Sequence, residues 1–272
     1  MADAKTLKSR LASGEFDARL KEVYLSDKAV EDQKKRDVVI IDEFVCLFGD
    51  NDSIELFSAP GRTEVGGNHT DHNHGKVLAA SVDLDTVAAA AKRDDGIIVE
   101  KSFKFDALEV DISDLEVHTE EFGKSSGLIR GMCAGFKERG YNIGGFNAAS
   151  MSRVLSGSGL SSSAAYEVLI GTILNHLYND GKVSPIEVAK IAQYAENKYF
   201  GKPCGLLDQT ASSVGSFITI DFKDPSRPII NKVDFDFASC GHALCIIDTG
   251  GNHSDLTDDY AAVRGEIGRA HV

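Results

Sequence analysis

No apolar run in these 272 residues is long enough to span a bilayer. The opening MADAKTLKSRLASGEF lacks the apolar centre of a secretory signal. Basic residues are scarce: 29 Lys and Arg stand against 42 Asp and Glu, a formal net charge of −13. That balance argues against a surface for nucleic acid or anionic membrane, since both need basic patches. Paired cysteines are missing as well. Cys46, Cys133, Cys204, Cys240 and Cys245 form no CxxC pair and no framework spacing, which points to reduced thiols in a cytoplasmic protein. No internal repeat is visible. What remains is ordinary globular composition, 42% hydrophobic and 26% charged, enough for a sizeable core in one large domain or two ordinary ones.

Residues 1 to about 50 read as helical and charged, because FDARLKEVY and DVVIIDEFVCLFG carry apolar residues at helix spacing. SIELFSAPGR reads as a strand stopped by Pro60 and Gly61. GKVLAASVDLDTVAAAAKR is ambiguous, its alanines favouring a helix and its Val/Leu/Val alternation a strand. GIIVEKSFKF and GGFNAASMSRVLS read as strands, and SSGLIRGMCAGFKERG between them as an amphipathic helix with a serine start and a glycine stop. AAYEVLIGTILNHLYND and SPIEVAKIAQYAENKYFG are further helices, the second with Ser184 as cap and Pro185 at its first position. SFITIDF and HALCIIDTG read as strands around a polar connection at 223–227, the expected domain boundary. Strands and helices do not alternate strictly, which favours α+β over a doubly wound sheet.

VLSGSGLSSSAAYEVLIG (154–171) has the composition of a linker in its first half, yet a buried-type helix starts within a residue or two of Ser163. Gly157 and Gly159 let backbone approach a ligand closely. Ser161, Ser162 and Ser163 fall at the helix start, where unpaired N–H groups and the dipole favour an anion. A serine-rich cap after a turn would look the same. No Lys-Ser/Thr pair follows the glycines, so this is not a Walker A loop, and Ser162 stands where a dinucleotide fingerprint needs its third glycine. Two other stretches bear on the choice. APGRTEVGGNHTDHNHGKVL packs Arg62, Asn68, His69, Asp71 and His72 into a glycine-rich turn after a strand. AENKYFGKPCGLLDQTASSVG ends a helix at Glu196 and carries Asp208 at what reads as another helix start. Taken singly, Asp208 reads as a cap, Arg62 as a surface ion pair and Glu196 as a solvated charge. His69, His72 and His74 invite a zinc reading, disfavoured because a tight turn can hardly aim three rings at one ion and no cysteine joins them.

Taken together, the three stretches resemble motifs of the GHMP kinases, and within them of the galactokinase family. GRTEVGGNHTDHN matches the signature Gly-Arg-x-Asn-Leu-Ile-Gly-Glu-His-Thr-Asp-Tyr-Asn, and GSGLSSSA matches the phosphate loop Gly-x-Gly-Leu-Ser-Ser-Ser-Ala without a gap. Ala195, Glu196, Asn197, Gly205, Asp208 and Gln209 match Ala-Glu-Asn…Gly-x-x-Asp-Gln, and NHSDLTDDYAAVR is similar to the family's His-Ser…Tyr…Arg segment. The resemblance implies an α+β, two-domain GHMP-kinase fold: a helical extension over 1–50, the sugar- and ATP-binding domain over 51–222, and the start of a C-terminal domain over 223–266. It implies ATP and Mg²⁺ as cofactors and galactose as the sugar, phosphorylated at its anomeric hydroxyl to galactose 1-phosphate, with no nucleic acid, membrane or obligate protein partner.

By the same resemblance Asp208 takes the proton of the sugar hydroxyl, while Arg62 stabilises the transferred charge and holds Asp208 ionised. The loop Gly157, Ser158, Gly159, Leu160, Ser161, Ser162 and Ser163 would wrap the triphosphate, and Ser163 and Glu196 would supply oxygens to Mg²⁺. Asn68, His69, Thr70, Asp71 and Tyr260 would line the sugar. Two positions depart from the pattern. The usual Asn-Leu-Ile-Gly-Glu is Glu64-Val65-Gly66-Gly67-Asn68 here, so a sugar-contacting carboxylate has become an uncharged amide, and His72 replaces a tyrosine. A kinase for a related sugar such as N-acetylgalactosamine stands as an alternative. So does a silent galactose and ATP sensor, which the presence of Arg62, Ser163, Glu196 and Asp208 disfavours.

The family carries a further glycine-rich motif in its C-terminal domain, and the chain stops before one. The closing IGRAHV (267–272) has no place in the family pattern and corresponds to one frame of a common sequencing adapter, so these six residues read as a non-native tail and the chain as C-terminally cut short. HALCIIDTG would then lack sheet partners and leave an apolar edge, with poor expression and little or no kinase activity as the expected result.

Overall fold

Three amphipathic helices open the computed structural model, which describes residues 2–67, 70–155, 157–235, 237 and 239–247. They are α1 (Ala4–Ala12), α2 (Asp17–Tyr24) and α3 (Asp27–Phe48). Asp3 caps α1 by accepting from the Thr6 N–H, and Ser26 caps α3 by accepting from the Ala29 N–H. The apolar stripes of α1 and α3 bury Leu7, Leu11, Ile40, Ile41 and Phe44 on one face of a sheet.

Among the described residues the sheet has seven strands: β1 (Glu55–Gly66), β2 (Lys76–Lys92), β3 (Ile97–Ser102), β4 (Leu108–Asp111), β5 (Phe146–Ser152), β6 (Phe217–Asp221) and β7 (Ile229–Val233). They lie in the order β4-β3-β5-β2-β6-β7, with β1 also paired to β2. The ambiguous alanine-rich segment is therefore a strand, and its alanines have a reason. Alternation sends Ala88 and Ala90 into the core under the later helices, and Ala89 and Ala91 into the core under α1 and α3. Helices cover both faces there, so small side chains let the layers close. The opposite core is filled from α4 (Ser125–Glu138), α5 (Ser162–Asn179) and α6 (Pro185–Ala195), with Ile129, Met132, Phe136, Ile170, Ile173 and Ile191 packed on Ile98 and Phe146. A last helix, α7 (Leu207–Val214), packs beside α5 and α6.

Several sequence expectations are corrected. β1 does not stop at Pro60 and Gly61 but runs through them, with its register shifting between Pro60 and Arg62. Gly61 is needed there because a Cβ would sit 2.9 Å from the Leu160 carbonyl oxygen. β3 ends at Ser102, and β4 adds an edge strand that the sequence reading passed over. The N-cap of α4 is Lys124, without a side-chain cap bond, and Ser125 is already helical. Past the connection at 223–227 the chain turns back as β7 and pairs with β6, so the same sheet extends beyond the expected boundary. Residues 242–247 form no strand, and 248–250 lie outside the described residues, as do Tyr260 and 267–272. Among the described residues no helix is long and apolar enough to cross a membrane.

Candidate active site at the head of α5

Residues 157–163 of the glycine-serine stretch form a loop folded against β1. Gly157 and Gly159 adopt left-handed backbone, φ 73° and 75°, as their lack of a side chain permits. Ser161 does so too, at φ 57°, which costs a serine about 1 kcal/mol. It holds the N-cap position of α5 without making a side-chain cap bond. Its hydroxyl instead donates to Asp208 Oδ2 at 2.8 Å. Arg62 Nε donates to the other oxygen, Oδ1, at 2.7 Å, and Arg62 Nη1 to the Gly159 carbonyl at 2.5 Å. The Arg62 backbone N–H donates to the Leu160 carbonyl at 3.0 Å. One arginine thus ties the strand, the loop and the head of α7 together.

Asp208 lies in the first turn of α7, one residue inside the helix rather than at its cap, where the helix dipole favours a negative charge. Ser212, on the next turn, donates to the Pro60 carbonyl at 2.7 Å and pins α7 against β1. The side chains of the pair differ in access, Arg62 being 8% exposed and Asp208 26%. A carboxylate held at both oxygens and open on one side is suited to accept a proton from a bound hydroxyl.

A second cluster begins at the adjacent residue. Gln209 Nε2 donates to Glu196 Oε2 at 2.7 Å, and Ser163 Oγ donates to Glu196 Oε1 at 3.2 Å. The same amide lies 3.3 Å from Glu167 Oε2. Burial, then the charge of Glu196, pushes the Glu167 carboxyl well above the usual carboxylate range. Cys204, 3.5 Å from the Gln209 amide, is likewise pushed far up by burial and is no nucleophile near neutrality. Ser163 and Glu196 present hard oxygens of the kind magnesium takes. Among the described residues no three His, Cys, Asp or Glu converge on a point that could hold an ion. Glu167 escaped the sequence reading, although a lone glutamate inside an apolar helix was a visible signal.

On the expected sugar side, Thr70 and Asp71 sit in a 3₁₀ turn, Thr70–Asn73, between β1 and β2. Asp71 is buried, and the Thr70 hydroxyl donates to the Lys76 carbonyl at 3.2 Å. Asn68 and His69 lie outside the described residues. His74, the last of the histidines considered for zinc, donates from Nδ1 to the Lys223 carbonyl at 3.2 Å.

Two family descriptions fit these segments. The galactokinase galactose-binding signature matches residues 42–92, which contain Arg62, Thr70 and Asp71. The GHMP kinase N-terminal domain matches 127–216, which contain the loop, Glu196 and Asp208. A galactokinase of Streptomyces coelicolor is 35% identical over 214 residues, 77% of this chain and 54% of that protein. This chain belongs to the galactokinase family. The galactokinase of Bacillus subtilis is 34% identical over 236 residues, 84% of this chain and 58% of its own length. A crystal structure of Lactococcus lactis galactokinase complexed with galactose matches with a TM-score of 0.66 at 31% identity, over 74% of this chain and 53% of that one. The chain therefore spans about half the length of the galactokinases it matches.

Proposed function

We propose that this chain serves ATP-dependent phosphorylation of galactose at its anomeric hydroxyl, giving galactose 1-phosphate and ADP in the cytoplasm. The observation that carries the reading is the Asp208 carboxylate, bracketed by Arg62 at 2.7 Å and Ser161 at 2.8 Å beside a left-handed glycine-serine loop. Asp208 takes the proton of the sugar hydroxyl, the freed oxygen bonds to the γ-phosphorus, and the bond from that phosphorus to the bridging oxygen breaks as ADP leaves. Arg62 keeps Asp208 ionised and sets a permanent positive charge beside the transfer. Residues 157–163 give the triphosphate backbone N–H groups and the head of α5.

Magnesium, when bound, neutralises charge on the phosphates. Ser163 and Glu196 are the residues that fit it, with Gln209 fixing one oxygen of Glu196 so that the other is presented. Asp71, with Asn68, His69 and Thr70, is assigned to the sugar on the strength of the signature match, and Tyr260 by its place in the NHSDLTDDYAAVR segment.

The test is ADP release and ³¹P NMR of the product across galactose, N-acetylgalactosamine, glucose and mevalonate. Fastest turnover with galactose and a sugar 1-phosphate signal are expected. ATP binding with no phosphoryl transfer to any of the four would leave a sensor in place of a kinase.

A further inference from the structure

α6 does not simply stop. It widens into a π turn, Glu196–Phe200, closed by Gly201 in left-handed backbone at φ 78°, a feature often found where helices serve a site. The turn carries the chain back over its own first residue. The Lys202 N–H donates to the Glu196 carbonyl at 3.1 Å, and Lys202 Nζ lies 3.6 Å from Glu196 Oε1. That is the oxygen Ser163 faces at 3.2 Å.

The placement is braced on both sides. A Cβ at Gly201 would stand 2.8 Å from the Phe122 ring, and the Gly123 N–H donates to the Phe200 carbonyl at 3.0 Å. Beyond Pro203, the Cys204 N–H donates to Asn197 Oδ1 at 2.8 Å, while Asn197 Nδ2 donates to the Gln193 carbonyl at 3.0 Å. A braced backbone aims the lysine stem at the acids beneath the phosphate loop.

The charges there need a mobile cation. Glu196 and Asp208 face the place a polyphosphate would enter, and Arg62 is committed to Asp208 and the Gly159 carbonyl. Magnesium bound through one or two carboxylates takes its other ligands from substrate phosphates and water. Phosphate oxygens therefore come to lie beside Glu196, within a lysine stem's swing of the present ion pair. That pair is loosely held: at 3.6 Å it is longer than a direct hydrogen bond, and the Lys202 side chain is 43% exposed although Glu196 is only 3% exposed. Lysine binds phosphate as a compact point charge that needs no fixed approach angle.

We propose that Lys202 is a triphosphate-binding residue, its ammonium resting on Glu196 before nucleotide arrives and moving to the phosphate oxygens when ATP enters. The inference rests on the phosphotransfer reading above. It is tested with Lys202→Met and Lys202→Arg by calorimetric titration with ATP in EDTA and again with excess Mg²⁺. In EDTA, Lys202→Met is expected to bind ATP about tenfold more weakly, equivalent to about 1.4 kcal/mol, and Lys202→Arg to stay within about threefold. With Mg²⁺ the loss shrinks, because the metal supplies charge in the same place.

Affinity for ATP in Lys202→Met equal to wild type makes the ammonium idle, and tighter binding makes it only a competitor for Glu196; either overturns the inference alone. Wild-type chain that binds no ATP overturns the phosphotransfer reading and takes this inference with it. Thermal melts of both variants, run alongside the titrations, separate a loss of binding from a loss of fold, because Glu196 beneath the lysine is only 3% exposed.

Discussion

Two arginine–aspartate pairs lie on opposite faces of the sheet, and they are built for different ends. Arg36 of α3 and Asp85 of β2 are each 3% exposed. Arg36 also donates to the Asp85 and Met151 carbonyls at 2.9 and 2.7 Å, and Asp85 accepts from Tyr24 at 2.5 Å and Ser58 at 2.6 Å. Every one of those partners belongs to the helical layer or to the strands beneath it. Arg62 and Asp208 use the same chemistry, but the carboxylate is left 26% exposed beside a loop of left-handed residues. The carboxylate is the more open member of the pair, and the strained backbone around it is better explained by a ligand reaching that side than by stability. The first pair joins the extension to the fold, and the second is the one to which the proposed function assigns the ligand.

Breaking each pair should therefore produce opposite kinds of loss. Asp208→Asn is expected to lower turnover by about 10²–10⁴-fold, because the amide fills the space but cannot take a proton. ATP affinity and melting temperature should change little. Retention of most activity in a steady-state assay would reduce Asp208 to a helix-end charge.

Arg36→Met inverts that pattern. It strands the Asp85 carboxylate inside the protein, and an uncompensated buried charge costs about 3–5 kcal/mol. Denaturant titration should show a loss of that size, with ATP affinity per folded molecule preserved. A loss below about 1 kcal/mol would mean that the extension is held by its apolar contacts alone.

The two faces were also unequally legible in sequence. The loop, Arg62, Glu196 and Asp208 stand in short ordered motifs, and the cap at Ser184 was local enough to be visible. The Arg36–Asp85 pair was not, because nothing local marks two residues 49 apart as partners. Pro60 misled as a strand breaker, since the rule concerns a lost donor and cannot see that a register shift at the same point accommodates it. The alanines of β2 were ambiguous because helix propensity and two-sided burial select the same small side chain. Glu167 and Lys202 acquire meaning only through the fold, which brings residues of α5 and the π turn onto Glu196.

A smaller effect sharpens the account of the buried face. Burial pushes the Asp37 carboxyl up to about 7, and Asp85 pushes the same way, against the hydrogen bond from Gln33 and the charges of Arg36 and Arg153. The folded state thus holds a proton that the unfolded chain releases near its usual value of 3.8. The stability linked to this group is fully present below about pH 4 and is lost as pH rises through 7. Asp37→Asn should remove that slope, gaining about 3–4 kcal/mol over wild type at pH 8 relative to pH 4. Parallel stability–pH curves for the two proteins would show Asp37 to be ionised in the fold.

The smallest expected effect separates backbone from hydroxyl at Ser161, the residue where the open face departs most from ordinary geometry. Both Ser161→Ala and Ser161→Gly delete the donor to Asp208 Oδ2, leaving Arg62 to hold the carboxylate. A hydrogen bond to a charged group contributes about 1.5–3 kcal/mol, and Arg62 should recover part of it, so both variants are expected to lose about tenfold in turnover. They should differ in stability. Alanine keeps the cost of the left-handed backbone at φ 57°, whereas glycine relieves about 1 kcal/mol of it. Matched turnover losses with a more stable glycine variant assign the kinetic role to the hydroxyl and the strain to the loop. If Ser161→Gly instead turned over like wild type, the hydroxyl would be incidental and the left-handed turn alone would be what the site requires.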